Sequence, residues 1–214
     1  MCAVIACIVP GCIKYHKTLP SEFPQPEKQE RYDDVALNYI RSTRVYEQFC
    51  TKALFDVLWL SDDVRVAYGN FHCKKRGIVG DAAEAFIARA REENNHWTTF
   101  CVLADVRDRS GLSLSDAHAP WTFSMNYQNK SYAPLSVKEV DLEPEYQVFF
   151  GSQRVMFKTA YMVKFPPLPA DQPVQGVITL TVQSIQEKMS LVWDLQALEN
   201  TGAKDKRYED FYWG

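Results

Sequence analysis

A serine, an aspartate and a histidine lie close together in one short stretch, at Ser115, Asp116 and His118. These are the residue types that serve as nucleophile, orienting acid and general base in serine hydrolases. Such triads are assembled in space from distant parts of a chain, and neighbours in one loop rarely reach the required geometry. The surrounding SGLSLSDAHAP is also typical of an irregular turn between strands. We therefore predict no catalytic residues here.

Soft metal ligands are present as the pair His72 and Cys73, with Cys50, Cys101 or His96 as further donors. Their spacing matches neither CxxC nor HxxxH, and the chain also lacks GxSxG, P-loop, GxGxxG and HExxH motifs. The sequence therefore predicts no metal site and no cofactor. Cys50 and Cys101 lie in apolar stretches and are expected to be buried, whereas Cys73, beside the cationic run 74–76, is expected to be exposed.

The N-terminus offers a different chemistry, that of a thiol which accepts a lipid. The first thirteen residues are uncharged, and Lys14, His16 and Lys17 follow directly. An apolar run that ends in small residues before a cleavage point is typical of a secretory signal. The alternative is a soluble domain whose first strand spans residues 3–10. The run is too short for a membrane-spanning helix, which needs roughly 20 apolar residues.

Val9-Pro10-Gly11-Cys12 resembles the lipobox of bacterial lipoproteins at its valine, glycine and cysteine. The resemblance implies that residues 1–11 are a signal peptide, truncated at its start, and that Cys12 becomes an N-terminus carrying fatty acyl chains such as palmitate. Val4-Ile5-Ala6-Cys7 is a second match, but an apolar stretch would follow that cysteine. Ile13, rather than aspartate, after Cys12 is compatible with sorting to the outer membrane of a Gram-negative cell.

Residues 12–31 follow as a spacer, KYHKTLPSEFPQPEKQER after the cysteine and Ile13, with Pro20, Pro24 and Pro26. Prolines fix φ and disfavour helix before them, so this stretch is expected to be extended and solvated. Such a tether would hold a folded domain away from the bilayer. The segment YIRSTRVYEQFCTKALFDVLWLSDDVR, with the later SVKEVDL and YMVKFP, also looks like uncharacterised Gram-negative lipoproteins, a resemblance that implies no activity.

Residues 32–95 are predicted to be helical. Apolar and aromatic residues recur there at spacings of four and three, the period of a helix with one buried face; they are Tyr32, Ala36, Tyr39, Thr43, Tyr46, Cys50, Ala53 and Val57. Without proline or glycine between residues 32 and 60, the pattern predicts one long helix. Ser61 is expected to cap a second helix, and a third is expected to begin near Asp81.

From residue 96 to residue 196 the hydrophobic period changes to two, which is typical of strands. The stretches TTFCVLADV, WTFSMNY, VMFKTAYMVKF, VITLTVQS and MSLVWDL are the clearest, with weaker candidates at 135–142 and 146–150. About seven strands without intervening helices predict an antiparallel β-sandwich. The expected fold class is therefore α+β, with helices first and a sandwich second. Trp121 and Trp193 lie on alternating apolar faces and should be buried.

Charge and tail composition bear on partners. A net charge of −3 argues against nucleic-acid binding, which needs clustered cations, and the one cationic run, at 74–76, is typical of a solvated turn. The C-terminal tail, residues 197–214, ends in Phe211, Tyr212 and Trp213, which either fold back or contact a partner.

Two hypotheses for the function remain. The first is a membrane-tethered, non-catalytic interaction or structural module that contacts envelope proteins. The second is a small-ligand binder or hydrolase that uses the helix–sandwich junction.

Overall fold

The computed structural model describes residues 32–47, 50–107, 112–151, 155–169 and 176–201. Within these residues the helices are α1 Tyr32–Asn38, α2 Asp62–Arg76, α3 Asp81–His96, α4 Pro144–Phe150 and α5 Leu195–Thr201. The strands are β1 Ile40–Glu47, β2 Cys50–Trp59, β3 Thr98–Val106, β4 Thr122–Tyr127, β5 Lys130–Tyr132, β6 Ser136–Val140, β7 Thr159–Phe165, β8 Val177–Gln183 and β9 Lys188–Asp194.

The long helix predicted over residues 32–60 is wrong. Only α1 is helical there, and β1 and β2 form an antiparallel hairpin in which Ile40 lies opposite Leu58. From Ala53 to Trp59, β2 is buried on nearly every residue, so both of its faces are apolar. A short run that is apolar on both faces matches a helical period as well as a strand, and periodicity cannot separate the two. Its β-branched and aromatic content is what favours the strand.

The two helices after the hairpin follow the prediction more closely. Ser61 caps α2 by accepting a hydrogen bond from the Val64 amide at 3.4 Å, with Asp62 and Asp63 in the first turn. A carboxylate there interacts favourably with the helix dipole. The cationic run at 74–76 forms the last turn of α2, where the same dipole favours positive charge, and Gly77 at φ 67° ends the helix.

The strands form two antiparallel sheets, in the orders β1-β2-β3-β7-β6 and β5-β4-β8-β9, which confirms the α+β class. Strand β6 confirms the candidate at 135–142, whereas the candidate at 146–150 is wrong, because those residues belong to α4. Side chains of the two sheets meet in one apolar core. Phe55 packs edge-on against Trp121 at 5.4 Å between ring centroids, and Phe100 lies 5.3 Å from Trp193. Both tryptophans are buried, as predicted.

The five-stranded sheet has two different faces. Residues directly opposite each other on antiparallel strands share a face. Phe100, which contacts Trp193 of the other sheet, therefore marks an inner face, and its neighbour Cys101 marks the outer face. Cys101 is fully buried, so the outer face is covered as well. None of the described helices is long and apolar enough to cross a membrane.

The outer strands of the two sheets differ in how far they are covered. Arg41 of β1 donates its Nε hydrogen to the Val192 carbonyl of β9 at 2.9 Å, and the Trp193 indole donates to the Tyr39 carbonyl at 2.8 Å. Strands β1 and β9 thus cover part of each other's edge. Strand β5 is three residues long, and β6 pairs only with β7 among the described strands. Strand β6 is therefore the longer of the two remaining open edges.

Candidate functional site

The predicted site residues Cys12, Phe211, Tyr212 and Trp213 lie outside the described residues. Ser115, Asp116 and His118 are described, and all three are exposed. The Ser115 hydroxyl lies 3.0 Å from that of Ser113, and Asp116 accepts a hydrogen bond from the Ser113 amide at 2.7 Å. Asp116 thus closes a local turn instead of orienting His118. The three side chains are close in sequence but do not form a triad.

Ser113, which no sequence pattern indicated, is the residue that connects this loop to the sheet. Its hydroxyl donates to the Glu139 carboxylate at 2.9 Å and lies 3.2 Å from the Tyr161 hydroxyl. Glu139 belongs to β6 and Tyr161 to β7, and the two are directly opposite in the register. The loop is therefore fixed at the inner face of the open-edge strand.

His72 is held by neighbouring side chains. Its Nδ1 lies 2.9 Å from a Glu145 carboxylate oxygen, and its ring stacks on Phe86 at 4.6 Å. Within the described residues, no group of three or more His, Cys, Asp or Glu side chains is placed to bind a metal ion. One turn earlier on α2, the Tyr68 hydroxyl donates to Glu143. The pKa of Tyr68 is raised mainly by burial and secondly by this hydrogen bond. These two contacts join α2 to the start of α4.

The cysteine predictions are only partly correct. Cys101 is fully buried as expected, but Cys50 is exposed at the start of β2 and Cys73 is buried inside α2. The charged run beside Cys73 points to solvent because a helix separates adjacent side chains by about 100°. The pKa of the Cys101 thiol is raised to about 12, mainly by burial and secondly by the negative charge of Glu143.

We expect Cys50 to react with iodoacetamide in the native protein within minutes, and Cys73 and Cys101 to react only after unfolding. The reagent attacks the thiolate and must reach the sulfur atom, which burial prevents at Cys73 and Cys101. Peptide mapping by mass spectrometry after native and denatured labelling distinguishes the three sites. Equal labelling of Cys73 and Cys50 in the native protein would contradict the placement of α2.

A buried ion pair lies on the outer face of the five-stranded sheet. Asp56, in the apolar run ALFDVLW of β2, is 6% exposed and accepts hydrogen bonds from Ser42 and Lys158. Ser42 is directly opposite Asp56 on β1, and Lys158 immediately precedes β7. Burying either charge alone would be costly, so each requires the other. An aspartate within an apolar strand was the available sequence signal for this pair, and it was missed.

The residue before Lys158 has an unusual backbone conformation. Phe157 has a φ of 62°, in the left-handed region that large side chains rarely adopt, and its ring is 90% exposed. Lys158 is anchored to Asp56 on one side and continues into β7 on the other. This anchoring keeps Phe157 in a conformation that an isolated chain would leave.

Lys158 also forms part of the wall of a cavity of about 290 Å³ at the end of β6. Apolar side chains from four parts of the chain line it, namely Leu103, Val140, Leu142, Val155 and Ala160. Glu139, Asp141 and Thr159 provide its other polar groups. Ala160 has a small side chain, so a larger residue at this position of β7 would fill part of the cavity.

A second cavity, of about 240 Å³, lies between the start of β2 and the turn joining β8 to β9. Its two cations already have protein partners: Lys52 donates to Gln186, and Arg107 pairs with Asp105 at 3.5 Å. This cavity adjoins no open strand edge among the described residues. The first cavity is therefore the stronger candidate site.

The chain matches no protein-family model, no curated protein and no solved structure. The candidate site is defined by three physical features: the open backbone edge of β6, the cavity at its end, which both apolar and polar side chains line, and the carboxylates beside that cavity.

Proposed function

We propose that the protein is a membrane-tethered interaction module of the bacterial cell envelope, which acts by contact and receives an extended segment of a partner along β6. The observation that carries this proposal is the edge of β6, which has a strand neighbour on only one side within the described chain. An open edge presents unpaired N–H and C=O groups at strand spacing. A partner segment can add to such an edge through main-chain hydrogen bonds.

The sequence of β6 is compatible with a selective edge. Lys138 and Glu139 are both exposed, and charges on an edge strand discourage indiscriminate pairing between copies of a protein. The same charges favour a partner of complementary pattern. Ser113 holds Glu139 from the inner face, so the strand is fixed in place before a partner arrives.

The tether is the second part of the proposal. Lipidation at Cys12, with residues 12–31 as spacer, would confine the domain to the outer membrane and raise its effective concentration near membrane-bound partners. Modest contacts along β6 would then be enough to hold a complex. The aromatic residues Phe211, Tyr212 and Trp213 are proposed as an additional partner contact.

The proposal includes a finer description of the fold, in which the two sheets pack face to face as a β-sandwich. The contacts of Phe55 with Trp121 and of Phe100 with Trp193 support it. In such a sandwich the outer face of the five-stranded sheet remains available to the helices and to the cavity.

Lipidation gives a direct test of the tether. Expressed with its native upstream sequence, the protein should incorporate a labelled fatty acid and partition into detergent, and Cys12→Ala should abolish both. The matched control is Cys7→Ala, which should leave both unchanged. Retention of label in Cys12→Ala together with loss in Cys7→Ala would move the anchor to Cys7. Absence of label from the unsubstituted protein would contradict the tether.

Contact along β6 is tested separately, by photo-crosslinking in intact cells. A benzoylphenylalanine introduced at Lys138 should capture a partner, and the same group at Glu92, exposed on α3, should not. Val137→Pro and Lys138→Pro each remove one backbone donor, and successive donors of a strand point to opposite edges. One of the two should therefore block the open edge and abolish partner capture at a probe placed at Ser136.

Substituting Ser115, Asp116 and His118 together with alanine serves as the control for the enzyme hypothesis, and partner capture and cellular phenotype should both persist. Loss of the phenotype with capture preserved would favour a hydrolase. Equal capture at Lys138 and Glu92 would contradict a role for the β6 edge.

A further inference from the structure

The chain around the end of β6 is acidic. Residues 139–145, EVDLEPE, contain four carboxylates. Glu143 and Glu145 bond to Tyr68 and His72 of α2, so they are already engaged within the helix layer. Glu139 accepts a hydrogen bond from the neutral Ser113, and neither it nor Asp141 forms an ion pair with a described lysine or arginine. Two carboxylates at the cavity are therefore not neutralised by a described cation.

The lysine that lines the cavity does not neutralise these carboxylates. Lys158, which forms part of the cavity wall, is paired with the buried Asp56 and is only 12% exposed. Its positive charge is therefore balanced by the Asp56 carboxylate on the outer face of β2. None of the described lysines and arginines pairs with Glu139 or Asp141, so a cationic group is the complementary ligand for these two carboxylates.

The two faces of β6 divide these features in a regular way. Val140 is opposite Ala160 and shares the outer face with it and with Leu103, and these three residues line the cavity. Glu139 is opposite Tyr161 and lies on the other face. A strand that pairs with β6 would present its own side chains alternately to these two faces. Apolar side chains would reach the cavity, and the residues between them would lie beside the carboxylate.

We propose that the segment received by β6 is basic and apolar in alternation, with one large apolar side chain in the cavity and a lysine or arginine on each side of it. This inference rests on the proposed function and specifies the partner's chemistry. Main-chain hydrogen bonds along β6 supply the docking, and the cavity and the two carboxylates select the sequence. The preference for basic residues weakens as salt is added, because Glu139 and Asp141 are exposed and screened.

Three synthetic heptapeptides test this proposal on the full chain by fluorescence anisotropy: Lys-Leu-Lys-Leu-Lys-Leu-Lys, a version with glutamate for lysine, and a version with alanine for leucine. The first should bind at least tenfold more tightly than either of the others. Glu139→Gln with Asp141→Asn should remove most of its advantage over the glutamate peptide. The matched control, Glu84→Gln with Glu92→Gln on α3, changes net charge equally and should have little effect.

The cavity is tested by filling it. Ala160→Leu should weaken binding of the lysine–leucine peptide to the level of the lysine–alanine peptide, and Ala160→Val should give an intermediate loss. Ala160→Val is the smaller change and keeps the test valid if the leucine variant does not fold, which thermal melting reports. Unchanged binding to a folded Ala160→Val or Ala160→Leu protein would overturn the inference, as would equal affinity for the lysine and glutamate peptides.

The outcome separates this inference from the proposed function. If the probe at Lys138 captures a partner in cells while the three peptides bind alike, the partner chemistry is wrong and the β6 interface stands. If the lysine–leucine peptide binds but neither Val137→Pro nor Lys138→Pro weakens it, binding does not use the strand edge and the proposed function fails.

Discussion

Replacing Trp193 with alanine should destabilise the protein by roughly 3–5 kcal/mol, as for other fully buried large aromatic residues. The side chain has no exposed surface, packs at 5.3 Å from Phe100 and is approached by the Arg41 guanidinium at 5.8 Å. Its indole N–H also donates to the Tyr39 carbonyl. The substitution therefore removes an apolar contact between the sheets and a hydrogen bond between β9 and the start of β1.

Two variants separate these contributions in urea unfolding followed by circular dichroism. Trp193→Phe keeps an aromatic ring beside Phe100 but loses the indole donor and part of the buried ring system, so we expect a loss of about 1–2 kcal/mol. The Tyr39 carbonyl also accepts from the Trp59 amide at 3.2 Å, so it is not left without a donor. Trp97→Ala is the matched control, because Trp97 is 39% exposed and should cost less than about 1 kcal/mol. A loss for Trp193→Ala as small as that of Trp97→Ala would mean that the two sheets do not share this core.

The hairpin at β1 and β2 shows where sequence patterns could not decide between helix and strand. Strand β2 is buried on both faces, and Trp121 at the start of the other sheet packs on the inner one. A strand in that position loses the alternation that would identify it. The later strands, such as β4, keep a clear alternation because only one face is buried, and they were predicted correctly.

The start of α2 could be predicted from the sequence, because capping contacts form between residues that are close in the chain. Ser61 and the two aspartates after it set the start of α2 through contacts within one turn. The residues of the candidate site are different, since Asp56 and Lys158 are separated by 102 positions. Only the pairing of β2 with β3 and of β3 with β7 brings them together. The sequence shows that Asp56 lies in an apolar strand, where charged residues are rare. It does not show that Lys158 is the cation that pairs with it.

The pairing of Asp56 with Lys158 gives the second large prediction. Asp56→Leu should cost roughly 3–5 kcal/mol, because it leaves the Lys158 ammonium without its partner in a site where side-chain exposure is only 12%. Lys158→Met should cost somewhat less, since Ser42 still donates to the Asp56 carboxylate. These losses are measured as free energies of unfolding in urea, with unchanged m values as the check that the folded state is the same.

The double variant Asp56→Leu with Lys158→Met decides what the pair contributes. Replacing both charges by apolar groups of similar volume removes the desolvation cost together with the attraction, and such replacements are often neutral or stabilising. We therefore expect the double variant to be at least as stable as Lys158→Met alone, with a coupling energy above about 2 kcal/mol between the two sites. Additive losses would show that the two side chains do not interact in the folded protein. If stability returns while the lysine–leucine peptide binds less tightly, the ion pair is retained for the shape of the cavity wall and not for the stability of the fold.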